Sequence, residues 1–178
     1  MEGVLLSMVA AVAFAFLFAT EGLVLGKLLQ PAVFFVAYVT LLSPPWPFVG
    51  FVLVVSAIGA TGGQWALYRA FTPDKSVPIV DRWLYRRLEI LPRLIRRWMG
   101  QRWVGFVERQ VERFGTLGIV ACTAVPGIRT LVPIVVGVGD YPDRRYVTAA
   151  AVGNLLYMFL LLGAAWGVLG LSQLFVGV

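Results

Sequence analysis

Residues 124–137 read AVPGIRTLVPIVVG. The stretch is apolar enough for lipid, yet Arg129 stands in its middle, between Pro126–Gly127 and Pro133, which break helices. An arginine inside hydrocarbon costs between about 3 and 17 kcal/mol in competing estimates, so it needs a partner or a polar cavity. Irregular backbone at that depth is tolerated only where protein or water buries it. A re-entrant hairpin meets both conditions. Pro126–Gly127 forms its tip, the freed backbone N–H groups face a cavity, and Arg129 opens the second limb. Backbone N–H groups at a helix start together with a guanidinium suit a phosphate, and Thr130 adds a hydroxyl donor.

The rest of the chain fits that setting. Hydrophobic residues make up 60% of its 178 residues and charged residues 13%, where a soluble domain carries about a quarter charged. The composition is that of an all-α integral membrane protein. One cysteine, Cys122, leaves no disulfide framework and no thiolate cluster, and the lack of histidine removes most transition-metal sites. No cofactor is expected.

Hydropathy divides the chain into blocks. Residues 3–20 carry no charge and read as a transmembrane helix rather than a secretory signal, since no basic segment precedes them. Residues 21–43 are apolar but interrupted by Glu21, Gly26, Lys27, Gln30 and Pro31, and SPPWP at 43–47 is a turn. Residues 48–71 are a clean span, 115–139 are broken again, and 145–176 form a long final span. A broken segment followed by a clean span therefore occurs twice. That order predicts two re-entrant hairpins, 21–43 and 115–139, each followed by a transmembrane helix in an inverted repeat.

Between the halves, residues 81–114 hold nine of the fifteen Lys and Arg residues. Leucine and tryptophan recur there at helical spacing with arginine on other faces, which predicts amphipathic helices lying in the membrane interface. The positive-inside rule places this block in the cytoplasm. Its simplest role is a topology anchor; a sharper one is attraction of anionic headgroups. Nucleic acid is not an expected partner, because the basic face lies against a membrane. With that orientation, hairpin 21–43 enters from the outer face and hairpin 115–139 from the inner face.

These residues carry a resemblance. VERFGTLGIVACTAVPGIRTLVPIVVG resembles the signature of the DedA (VTT domain) family, with a Phe-Gly pair before a Pro-Gly turn and an arginine followed by threonine. GATGGQWALY keeps the family's spacing as Gly59, Gly63 and Tyr68, Glu21 matches the acid of its first hairpin, and RRYVTAAAVGNLLYMFLLLGAAWG resembles its last span with Asn154 and Trp166. The resemblance covers about residues 15–170, and the Pro-Gly-x-Arg-Thr piece is its most specific part. It implies a lipid transporter of the cytoplasmic membrane, not an enzyme. Such proteins move a polyprenyl phosphate carrier between leaflets using the proton motive force, and eukaryotic relatives scramble phospholipids. In that picture Arg129 binds the lipid phosphate and Glu21 couples transport to protons. Two positions depart from the pattern: Thr123 stands where the family has a first arginine, and Val33 where it has a second acid. Uncoupled scrambling of an anionic phospholipid therefore stands beside coupled transport, with a non-transporting assembly protein as a third reading. Homo-oligomers are compatible with all three.

Simpler readings apply to individual residues. Glu21, beside Thr20, is predicted at a helix start, where an acid favours the dipole. Arg129 could reach the inner interface instead of a cavity, or pair structurally with Glu21. Lys27 is expected to extend to the outer one. Asn154 either contacts substrate or bonds a neighbouring helix. Gly59 and Gly63 read as close helix packing, and Asp140 and Asp143 in GDYPDRR as turn chemistry.

Overall fold

The computed structural model describes residues 2–22, 30–72, 101–139 and 141–176. Those residues form seven helices and no strand: α1 (Glu2–Gly22), α2 (Pro31–Leu42), α3 (Trp46–Phe71), α4 (Gln101–Phe114), α5 (Thr116–Ala124), α6 (Val132–Val138) and α7 (Asp143–Val176). Lys27, Asp140 and the basic stretch 81–100 lie outside the described residues.

Two of these helices, α3 and α7, are long and apolar enough to cross a membrane. At 1.5 Å per residue, the 34 residues of α7 extend about 50 Å, beyond the ~30 Å of a hydrocarbon layer. The final span is thus one continuous helix. In the most apolar window of either helix only 39% is buried. Large apolar side chains such as Phe51, Val54, Ile58, Leu156, Phe159 and Leu160 lie on the outside.

Local chemistry explains the helix ends. Pro31 opens α2, where its missing N–H costs nothing, and Ser43 in a left-handed conformation (φ 42°) closes it before Pro44–Pro45. The SPPWP segment is shorter as a turn than its composition suggests, because Trp46 and Pro47 already belong to the first turn of α3. Glu21 requires a correction. It lies in the last turn of α1, not at a helix start. There the helix dipole opposes a carboxylate, so the dipole does not explain the residue.

The chain forms two compact units, one from Met1–Gly63 with Asn154–Val178 and one from Gln64–Gly153. In the first unit, α1 and α3 meet at glycines. A Cβ added at Gly59 would lie 2.2 Å from the Ala15 carbonyl oxygen, and one at Gly63 would lie 2.1 Å from that of Ala19. The Gly59/Gly63 spacing therefore serves backbone-to-backbone approach, as its sequence suggests. Phe14 packs edge-on against Phe35 and Tyr38, with centroids 5.9 and 5.4 Å away. The Asn154 amide donates to Thr61 Oγ1 at 3.0 Å, tying α7 to α3.

In the second unit, α4, α5, α6 and the adjoining turns of α3 and α7 enclose Tyr68, Val107, Ile119, Leu131, Val132 and Tyr146. Gly118 lets α5 touch α4, since a Cβ there would lie 2.2 Å from the Gln110 carbonyl oxygen. Gly153 does the same for α7 against Thr123 of α5, at 2.6 Å.

Candidate functional site: a buried arginine in a helix break

Residues 115–139 are interrupted where proline and glycine predict. Gly115 ends α4 at φ 55°, α5 runs to Ala124, and Val125 turns extended. Pro126 has no N–H to continue a ladder, and Gly127 takes φ 88°, a conformation open to glycine and costly for side chains. The turn is held by Arg129 N–H donating to the Val125 carbonyl (3.2 Å) and Leu131 N–H to that of Ile128 (2.8 Å). α6 then begins at Val132–Pro133. The break is a seven-residue turn between two short helices, from Val125 to Leu131.

Arg129 is 2% exposed and heads the fully buried side chains by size. Burial to that extent excludes the reading in which its side chain reaches out to an aqueous boundary. A guanidinium hidden this way is costly unless it is engaged, and Arg129 is engaged by polar or ring contact, as is Glu21. Two hydroxyls in the same unit are buried without a hydrogen-bond partner among the described residues, Thr123 Oγ1 and Thr130 Oγ1. Both are short donors able to turn towards an oxyanion. Thr123 lies against α7 at Gly153, where an added Cβ would fall 2.6 Å from the Thr123 Cβ.

Of the sequence-predicted residues, the structure gathers Pro126, Gly127, Arg129 and Thr130 into one turn. Pro126 and Gly127 are exposed there and act through backbone shape, whereas Arg129 is enclosed. Asn154 and Glu21 belong to the other unit. Asn154 is fully buried and bonded to Thr61, which fits its helix-linking reading; Glu21 is half-buried.

Sequence reasoning missed a second polar cluster. The Tyr68 hydroxyl donates to the Tyr141 carbonyl and to Asp143 Oδ1 (2.8 Å), and Arg69 Nη1 pairs with Asp143 Oδ2 at 2.7 Å. Tyr68 stacks on Tyr146 with centroids 4.3 Å apart, and the Tyr141 hydroxyl bonds Thr116 Oγ1 at 2.8 Å. This cluster clamps the exit of the broken segment to the end of α3. The available signal was charge: Arg69 closes one apolar span and Asp143 opens another, so the two termini can pair. Among the described residues, no group of three or more Cys, Asp or Glu could hold a metal.

No family model matches the chain, and no curated protein or solved structure shows significant similarity to it.

Proposed function

We propose that the chain is a multi-pass protein of the cytoplasmic membrane that moves phosphate-bearing lipids between leaflets, in the manner of the DedA family it resembles. The observation that carries this reading is Arg129: a guanidinium, 2% exposed, at a non-helical break between two short apolar helices. A charged side chain inside an apolar segment is costly, and such residues commonly mark a substrate or ion path. A lipid phosphate supplies the charge and acceptors that such a cation recognises. The half-buried Thr130 hydroxyl and the fully buried Thr123 hydroxyl lie nearby in sequence and add donors without adding charge. The apolar outer faces of α3 and α7 support the membrane setting, because soluble monomers rarely expose contiguous apolar surface on this scale.

Within this reading Arg129 and Thr130 hold the phosphate, the Pro126–Gly127 turn shapes the backbone around it, and Asn154 acts as a supporting helix link. Glu21 is the protonatable group that couples movement to the proton gradient. Uncoupled scrambling is the second reading, favoured by Thr123 and Val33 in place of an arginine and an acid.

The test is transport by the purified chain in liposomes. Fluorescent polyprenyl phosphate and phospholipid analogues are followed as they change leaflet, with and without a proton gradient. Wild type is expected to move at least one analogue, and Arg129→Ala to slow it about 10- to 100-fold, the loss of one or two charge-assisted hydrogen bonds. Equal rates for both proteins would remove Arg129 from the mechanism. No movement by the wild-type protein would favour the assembly role.

A further inference from the structure

α4 divides its circumference into four sectors. By the 3.6-residue repeat, Val107 and Val111 fall on one side and pack into the core of their unit, with Val107 fully buried. Next to them Trp103, Phe106 and Phe114 form an exposed aromatic strip, with Trp103 54% and Phe114 49% exposed. Trp103 and Phe106 meet edge to face at 6.3 Å. Beyond the strip come Arg109 and Arg113, and beyond those Glu108 and Glu112, all four exposed.

The charge order is informative. Each like-charged pair is spaced i, i+4, Glu108 with Glu112 and Arg109 with Arg113, an arrangement that destabilises a helix surrounded only by water. Neither arginine forms an ion pair among the described residues, although Glu112 lies three positions from Arg109. Arg113 instead holds its guanidinium 5.2 Å from the Phe114 ring, on the aromatic side. The margin of the aromatic strip is thus cationic, and the acids are kept away from it.

We infer that the Trp103–Phe106–Phe114 strip and its Arg109/Arg113 margin bind the anionic phosphates of a bilayer surface. The rings sit at the boundary of acyl chains and headgroups, the guanidinium groups reach the phosphates beside them, and Glu108 and Glu112 remain in water. Phe114 is followed at once by Gly115 and α5, so the strip leads into the segment that carries Arg129. The surface gathers anionic lipids of one leaflet at the entrance to that segment. This inference rests on the membrane setting proposed above, but not on transport.

The experiment uses the full chain in phosphatidylcholine nanodiscs. A nitrobenzoxadiazole fluorophore is attached through Gln110→Cys, between the rings of the strip, in a Cys122→Ala background. Quenching by spin-labelled phosphatidylglycerol is compared with quenching by spin-labelled phosphatidylcholine at equal mole fraction. Phosphatidylglycerol is expected to quench preferentially. Arg109→Gln and Arg113→Gln should each reduce the preference about fivefold, equivalent to about 1 kcal/mol per basic residue near an anionic surface. Glu108→Gln with Glu112→Gln should preserve it, and high salt should weaken it. Equal quenching by the two lipids overturns the inference. So does a reporter open to aqueous iodide and untouched by either lipid, which would assign the strip to a protein partner or to water. Loss of the preference on adding inorganic phosphate at constant ionic strength would assign the arginines to a soluble anion instead. The lipid preference is read without transport. Preference without transport removes only the proposed function, whereas transport without preference removes only this inference.

Discussion

The turn around Arg129 and the entry to α2 differ in how their described residues are enclosed. In the segment around Arg129, the second half of the turn is packed: Ile128, Arg129, Leu131 and Val132 are all buried, while Val125, Pro126 and Gly127 at the tip are exposed. In the segment after Glu21, the described limb α2 shows Val33, Phe34, Leu41 and Leu42 on the outside, and its entry residue Gln30 is exposed. Glycine supplies the unusual backbone in one break (Gly127, φ 88°), and a residue with a full side chain supplies it in the other (Gln30, φ 37°). The Arg129 turn encloses its charged residue. At the entry of α2, Gln30 keeps its strained backbone at an exposed position, and strain persists only where surrounding structure demands it.

If the Arg129 turn binds substrate and Glu21, in the last turn of α1, is the proton-coupled group, the two charged residues should fail differently. Arg129→Lys keeps the charge but loses the planar fork, and lipid movement should fall about tenfold. Glu21→Gln should leave downhill movement close to wild type and abolish the response to a proton gradient. Liposome assays with and without the gradient separate the two outcomes. A tenfold loss of downhill movement in Glu21→Gln would erase the proposed division of labour.

The exit of the enclosed break supplies the next comparison. Tyr68→Phe removes the hydroxyl that bonds both the Tyr141 carbonyl and Asp143, while the ring still stacks on Tyr146. Stability should drop by about 1–3 kcal/mol, because a part-buried carbonyl and the Asp143 carboxylate lose their donor. Asp143→Asn breaks the ion pair with Arg69, whose side chains are 27% and 29% exposed, and should cost less than about 1 kcal/mol. Denaturation of the detergent-solubilised chain measures both. A larger loss from Asp143→Asn would make charge, rather than the hydroxyl, the fastener.

How much of this was legible in the sequence depended on distance along the chain. The Val125–Leu131 break was readable because Pro126, Gly127 and Pro133 act on their own backbone. The α3 span and the glycine contact at Gly59 and Gly63 were readable for the same reason: hydropathy and small-residue spacing are local patterns. Glu21 was misplaced because the apolar run continues through it, so nothing in the composition marks whether a helix is ending or starting there. The Tyr68–Asp143 bond joins residues 75 apart in sequence, and no local pattern announces a partner at that range. Burial of Arg129 followed from its surroundings, but the abutment of Thr123 on Gly153 did not, since it depends on how α5 meets α7.

The last pair of substitutions tests the backbone itself, in opposite directions. Gly127 has nothing near a Cβ built on it, so Gly127→Ala meets no clash and its whole cost is conformational. At φ 88° that cost should be about 1–2 kcal/mol. Gln30→Gly should act the other way. A left-handed conformation is unfavourable for glutamine, and the following Pro31 further disfavours it by crowding the preceding residue. Glycine removes that strain but adds freedom to the unfolded chain, which takes back about 0.5–1 kcal/mol. A net gain below about 1 kcal/mol remains, equivalent to a rise in Tm of about 2–4 °C at most for a chain of this length. A fall in Tm for Gln30→Gly would mean that its side chain holds the entry of α2 in place, and that entry would then be as tightly built as the Arg129 turn.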